Sequence, residues 1–308
     1  MKKFRILCDI TCDLNEKFQK EFDIDVLSGH MTLPDKTEKV TYPKWVDTTA
    51  EKFYTDLKKD PNGYSTAPPN VAEFTEVFEK FVSEGCDVLT MTISGGMSGT
   101  FNFASKAREA VLEKHPDANI KVVDSRRFTT GFGLMAVNAA ILRNEGKSMD
   151  EVAEYIENNK NRYHQAGWLD DLSFVAKKGR LTHSKAFFGK LAGIKPLGEF
   201  DYNGLTTVIG KAKGAKKAYP ALLSYIGETI ENPEEQIVFI AHTNRLPQAE
   251  QYKKMIEEKF HPKAIYINDV YPANGINIGP GLMAAYYFGK PISEGLKEET
   301  EIINKYLK

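Results

Sequence analysis

The chain has 308 residues, 42% apolar and 27% charged, and its 41 lysines and arginines against 42 aspartates and glutamates give a formal net charge of -1. That balance excludes a disordered or fibrous chain and gives no electrostatic reason to expect nucleic acid or an anionic membrane surface as partner. The length suits two domains at roughly 150 residues each, no window approaches the roughly 18 consecutive apolar residues of a membrane span, and the 3 cysteines, Cys8, Cys12 and Cys86, point to reduced, buried thiols in a cytoplasm.

The opening MKKFRILCDITCDL has Arg5 and Asp9 inside its apolar run and no small-residue cleavage site after it, so it reads as a first strand at Phe4 to Cys8 rather than a signal peptide. Asp9-Ile10-Thr11-Cys12-Asp13-Leu14 then stands at the end of a parallel strand, where open α/β sheets bind ligands. The plainer alternative is that Thr11 or Asp13 caps the helix beginning near Asn15. Tyr64-Ser65-Thr66-Ala67-Pro68-Pro69 is extended, because each proline disfavours helix for itself and for its predecessor. A helix over 71–85, with Phe74, Val77, Phe78 and Phe81 on one face and Gly85 as its stop, leads to the strand Val88 to Ile93.

After that strand comes Ile93 to Ala107, ISGGMSGTFNFASKA, which sets Ser94, Gly95, Gly96, Ser98, Gly99 and Thr100 before a helix with Phe101, Ala104, Ala107 and Val111 on its core face. Glycines let backbone amides approach a ligand, and the first helical turn offers unpaired N–H groups, so phosphate or carboxylate could sit there. Equally, Ser98 or Thr100 could simply cap the helix. The spacing fits neither a nucleotide P-loop, nor a Gly-x-Ser-x-Gly hydrolase elbow, nor a dinucleotide fingerprint.

The strand Ile120 to Ser125 and an apolar helix after Gly131 complete a β/α alternation that implies parallel pairing and right-handed crossovers. Near Asn161 the pattern changes to a second α/β unit with a mixed or antiparallel sheet, so the expected domains are 1–160 and 161–308, facing each other across a cleft. WLDDLSFV reads as a short helix ending in Lys177-Lys178-Gly179-Arg180; strands follow at 204–213, 237–242 and 264–271, with helices from Gly214 and Pro247. Lys211, Lys213, Lys216 and Lys217 form a second basic cluster, either a solvated face or a docking point for an acidic partner. Asn274 to Gly281 reads as a glycine-rich turn before an apolar helix LMAAYYF, offering amides and the Asn277 side chain. The 6 histidines have no ligand-like spacing, and no metal site or cofactor is expected.

The order of these motifs resembles the DegV family of bacterial fatty-acid-binding proteins. The carriers are DITCDL (Asp9 to Leu14), STAPP (Ser65 to Pro69), ISGGMSGT (Ile93 to Thr100), DSRRFTTGFG (Asp124 to Gly133), KKGR (Lys177 to Arg180), IKP (Ile194 to Pro196) and GINIGPG (Gly275 to Gly281), collinear over nearly the whole chain. The resemblance implies two α/β domains, the first Rossmann-like with a parallel sheet, gripping one long-chain fatty acid between them. It implies that the carboxylate is held by Ser65, Thr66, Ser94, Gly95, Ser98 and Asn277, with Arg180 at the carboxylate entrance or a partner surface. It also implies an acyl-binding subunit that is no enzyme alone and presents its ligand to a separate ATP-using fatty-acid kinase subunit. The chain departs from the family pattern at Ile10, Ala67, Gly95 and Asn277, where serine, glutamine, serine and histidine are usual. Two rival readings are a phosphoryl- or acyl-transfer enzyme with Ser94 or Ser98 as nucleophile, and a sensor of another lipid.

Overall fold

The computed structural model describes residues 3–181 and 193–308. Its first half runs β1 (Phe4–Asp9), α1 (Glu16–Phe22), β2 (Ile24–Leu27), β3 (His30–Thr32), β4 (Glu38–Val40), α2 (Ala50–Lys59), β5 (Ser65–Ala67), α3 (Val71–Ser83), β6 (Asp87–Thr92), α4 (Thr100–Lys114), β7 (Ile120–Asp124), α5 (Thr129–Asn144) and α6 (Met149–Asn159). The second half runs β8 (Tyr163–Leu169), α7 (Ser173–Lys177), β9 (Ile194–Phe200), β10 (Thr206–Lys213), α8 (Ala215–Thr229), β11 (Ile237–His242), α9 (Leu246–Phe260), β12 (Ala264–Asp269), α10 (Pro272–Ile278), β13 (Leu282–Phe288) and α11 (Lys297–Leu307).

Among the described residues the strands form a parallel sheet in the order β2-β1-β6-β7, a mixed sheet in the order β10-β9-β8-β13-β11-β12, and a small antiparallel sheet β4-β3-β5. The fold is therefore α/β with a parallel and a mixed sheet, as the alternation in the sequence implies. β6 is buried along its whole length because helices cover both faces. On one face lie Phe74, Phe78 and Phe81 of α3 with Ala104, Ala107 and Val111 of α4. The other face is covered by α6 at β6 and by α5 at β1 and β2, and α5 also packs against β8, β11 and β13 of the mixed sheet. A helix clasped by two sheets must be apolar nearly all round, and α5 buries every residue from Thr129 to Val137.

Several local expectations change. Leu282 to Phe288 is a strand, not a helix: it lies between β8 and β11 with both faces covered, so its seven residues are apolar throughout and carry no period that separates strand from helix. The preceding residues Pro272 to Ile278 are helical rather than a turn, and the turn is confined to Gly279 and Gly281, whose φ angles of 79° and 102° suit glycine. WLDDLSFV splits, with Trp168 and Leu169 ending β8 and only Ser173 onward helical. Neither Thr11 nor Asp13 caps α1; Asn15 does, its side chain accepting from the amides of Lys17 and Phe18. The small antiparallel sheet was not foreseen, since its strands are three residues each.

Candidate functional site

The parallel sheet reverses its strand order between β1 and β6, because the chain moves from β1 out to β2 and then returns to the other side of β1. Ligands of open α/β sheets bind outside the carboxyl ends of the strands at such a point. Here the loops after β1 and β6 are tied together: the Ile93 amide donates to Asp9 Oδ2 at 2.7 Å, and the Thr11 amide to Asp9 Oδ1 at 2.9 Å. Asp9 is fully buried, and burial pushes its carboxyl up while these hydrogen bonds draw it back. Asp13, equally buried, accepts from Asn274 Nδ2 at 2.7 Å and from the Tyr271 amide at 3.2 Å, locking this loop to α10. The two aspartates that open the chain's first motif are thus engaged in holding loops.

Above this edge lies a cavity with about 1160 Å³ of empty space, part of it open to solvent. Its polar wall comes from β5, the loop before α4, α10 and the residues after α7. Asn277 Nδ2 donates to Thr66 Oγ1 at 3.0 Å, and the hydroxyls of Ser98 and Thr100 share a hydrogen bond of 2.7 Å. Arg180 follows Gly179, whose φ of 73° ends α7, and its Nε donates to the Met97 carbonyl at 3.3 Å. That bond joins the KKGR segment to the ISGGMSGT loop. Thr66, Ser98, Asn277 and Arg180 all line the cavity.

The remaining candidates stand apart from the wall. Ser94 is buried, and its Oγ accepts from the Gly96 amide at 3.2 Å. Gly95 donates its amide to Asp124 Oδ1 at 3.0 Å, and Ser65 is an exposed residue whose side chain faces away from the cavity that its neighbour Thr66 lines. Among the described residues, neither Ser94 nor Ser98 is hydrogen-bonded to a histidine or carboxylate that could act as its base. The IKP motif acts through structure: Lys195 and Arg245 both pair with Asp170, holding its carboxyl below the usual range despite its burial, while Pro196 lines the cavity.

The floor is the face of β8, β9 and β10 that carries Gln165, Gly167 and Leu169, then Pro196 and Gly198, then Thr206 and Val208. Gly167 and Gly198 are opposite each other in the antiparallel ladder, and Val208 is next to Gly198. Two facing glycines strip the centre of the floor of side chains and leave a furrow beside Leu169, Leu172, Val175 and Phe128, which also line the cavity. His30 of β3 is a further lining residue that sequence reasoning did not single out, with Nε2 2.8 Å from Glu73 Oε1. An isolated glycine inside an apolar strand is the signal that could have pointed to the floor.

Among the described residues, no helix is long and apolar enough to cross a membrane and no cluster of side chains could hold a metal ion. A family model described as "Uncharacterised protein, DegV family" matches residues 3–290. The chain is similar to a DegV domain-containing protein of Clostridium perfringens, 36% identical over 291 residues that cover 94% of this chain and 98% of that one. Among solved structures it is similar to a fatty-acid-binding DegV family protein of Thermus thermophilus, with a TM-score of 0.83, 21% identity and coverage of 94% and 100%. It is also similar to a stearic-acid-binding protein of Eubacterium ventriosum, with a TM-score of 0.78, 22% identity and coverage of 93% and 98%.

Proposed function

The chain belongs to the DegV family, and from that membership we propose that it holds one long-chain fatty acid without a covalent bond, between domains formed by residues 1–160 and 161–308. The single observation that carries the proposal is the furrow of Gly167 and Gly198 running into a polar wall at one end of the cavity. An extended acyl chain needs a floor without side chains, and its carboxylate needs donors. Thr66, Ser98, Asn277 and the Arg180 guanidinium offer hydroxyls, an amide and a fixed positive charge at the same wall. Each buried methylene contributes about 0.8 kcal/mol, so the tail supplies the affinity and the wall supplies the orientation.

The wall groups bind and orient; no step of bond making is assigned to them. For the rival reading with a serine nucleophile, no histidine or carboxylate is hydrogen-bonded to Ser94 or Ser98 among the described residues. In the reading we favour, the chain works in a cytoplasm as the acyl-binding subunit of a fatty-acid kinase, and the carboxylate at the solvent-open side of the cavity is presented to an ATP-binding partner. Calorimetric titration of the delipidated chain with stearic acid tests binding, with one acid per chain expected; no heat and no retained acid would overturn it. For the partnership, ATP alone should leave the bound acid unchanged. Adding the kinase subunit from the same cell should give an acyl phosphate that hydroxylamine traps, and failure of that subunit to act on the loaded chain would overturn it.

A further inference from the structure

Three of the four groups on the polar wall are carried by elements that share a core of their own. Phe53, Tyr54 and Leu57 of α2 pack with Phe174 of α7 and Ile276 of α10 in an apolar cluster separate from the two that fill the sheets. None of these five side chains lines the cavity. Thr66 lies on β5, which packs against α10, Asn277 follows Ile276 on α10 itself, and Arg180 comes just after α7. The end of α7 is tied to the residues before β5 as well, since Lys178 Nζ donates to the Tyr64 carbonyl at 3.2 Å.

Within this frame the seat of α10 decides where the donors point. The helix has seven residues, too few to be held by backbone propensity, so its contacts fix its place. Asp13 holds it through Asn274 and the Tyr271 amide. Tyr54 holds it from α2: the side chain is buried, and its hydroxyl donates to the Val270 carbonyl at 2.7 Å, just before the helix begins. The same hydroxyl occupies the space beside Gly275, where a Cβ would stand 2.5 Å from the Tyr54 oxygen and 3.1 Å from Cζ. One side chain thus sets both the start of α10 and its distance from α2, two residues ahead of Asn277. Asn277 Nδ2 in turn meets Thr66 Oγ1 at 3.0 Å, so a shift of α10 moves two wall groups together. Donors meant for one carboxylate recognise it best when already in place, because ordering them on binding costs affinity.

We infer that Tyr54 is a positioning residue for carboxylate recognition: without lining the cavity it seats α10, and through it the Asn277 amide and the Thr66 hydroxyl. This rests on the fatty-acid reading of the cavity and adds to it a residue outside the cavity. The test is native mass spectrometry of the delipidated protein offered equal amounts of stearic acid and its methyl ester, reading the ratio of acid to ester bound. Tyr54→Phe removes one hydroxyl and keeps the ring in its core; Gly275→Ala pushes a methyl group against that hydroxyl. In both variants the ratio should fall about three- to tenfold, the scale of one hydrogen bond. In an Asn277→Ala background, Tyr54→Phe should lower the ratio by less than it does in the parent, because the tyrosine acts through that helix. A ratio unchanged in both single variants overturns the inference and leaves the fatty-acid reading standing, as does a Tyr54→Phe effect of the same size with and without Asn277. A parent that binds neither molecule overturns both.

Discussion

Gly167 and Gly198 face each other across the antiparallel ladder of β8 and β9, and both form the floor of the cavity. Their lack of side chains opens the furrow, but the two are not equivalent. A Cβ on Gly167 would come within 2.3 Å of the Met283 carbonyl and 2.4 Å of Ala284, a clash with backbone. On Gly198 the nearest atoms are side-chain ends at 3.3 and 3.4 Å, which can yield.

Gly198→Val should therefore fold and fill the furrow. Because glycine is costly inside a strand and valine suits one, its melting temperature should equal or exceed that of the parent. Its affinity for stearic acid, read by calorimetry, should fall at least about tenfold as the branched side chain displaces buried methylenes. Unchanged affinity would mean that the acyl chain does not lie on this floor.

Arg180→Gln removes the fixed charge from the polar wall while keeping a donor. Fatty-acid affinity should fall about tenfold, the scale of one hydrogen bond to a charged group. The methyl ester of the same acid, which has no charge to recognise, should bind parent and variant alike. An equal loss for acid and ester would show that Arg180 acts by shaping the cavity.

Burial pushes the Asp13 carboxyl well above its usual 3.8, against the hydrogen bonds from Asn274 and the Tyr271 amide, with Asp269 and Asp9 adding to the rise. A carboxyl raised on folding binds its proton more tightly in the folded chain. Its contribution to stability is full below pH 3.8 and is lost as pH rises through the folded value. Asp13→Asn lacks this slope, so urea denaturation from about pH 5 to about pH 8 should show the variant gaining stability relative to the parent as pH rises. A pH-independent difference would contradict the assignment.

Glu199 is fully buried beneath the cavity and accepts from the amides of Gln165 and Phe200, from Tyr225 at 2.7 Å and from His164 at 2.8 Å. Glu199→Ala strands all four partners. The loss should be about 3 to 5 kcal/mol by urea denaturation, as for removal of one partner from a buried pair. A loss below about 1 kcal/mol would show that the network is not coupled to the fold.

The parallel sheet was legible in the sequence because the apolar strand Val88 to Ile93 and the one-sided helix with Phe74, Phe78 and Phe81 carry distinct periods. The site was legible only where it is built from turns. Ser98 and Asn277 belong to glycine-rich segments, and Thr66 to a proline-stiffened one. Gln165 and Gly198 sit within stretches of strand buried on both faces, which erases alternation, and Thr206 opens a strand whose first three residues are all half-buried, so nothing local marks them as cavity residues. Ser94 and Gly95 share a motif with Ser98, yet the turn at Ser94, where the amides of Met97 and Ser98 return to its carbonyl, directs them elsewhere. A motif in sequence gives the loop, while the loop's own hydrogen bonds decide which of its members line the cavity.

The most direct test of the central claim is native mass spectrometry of the chain purified from cells without added lipid, followed by solvent extraction of whatever it carries. One added mass per chain in the long-chain fatty-acid range is expected, released by delipidation and restored by adding free fatty acid. A chain that is empty as purified and stays empty when long-chain fatty acids are supplied would contradict it.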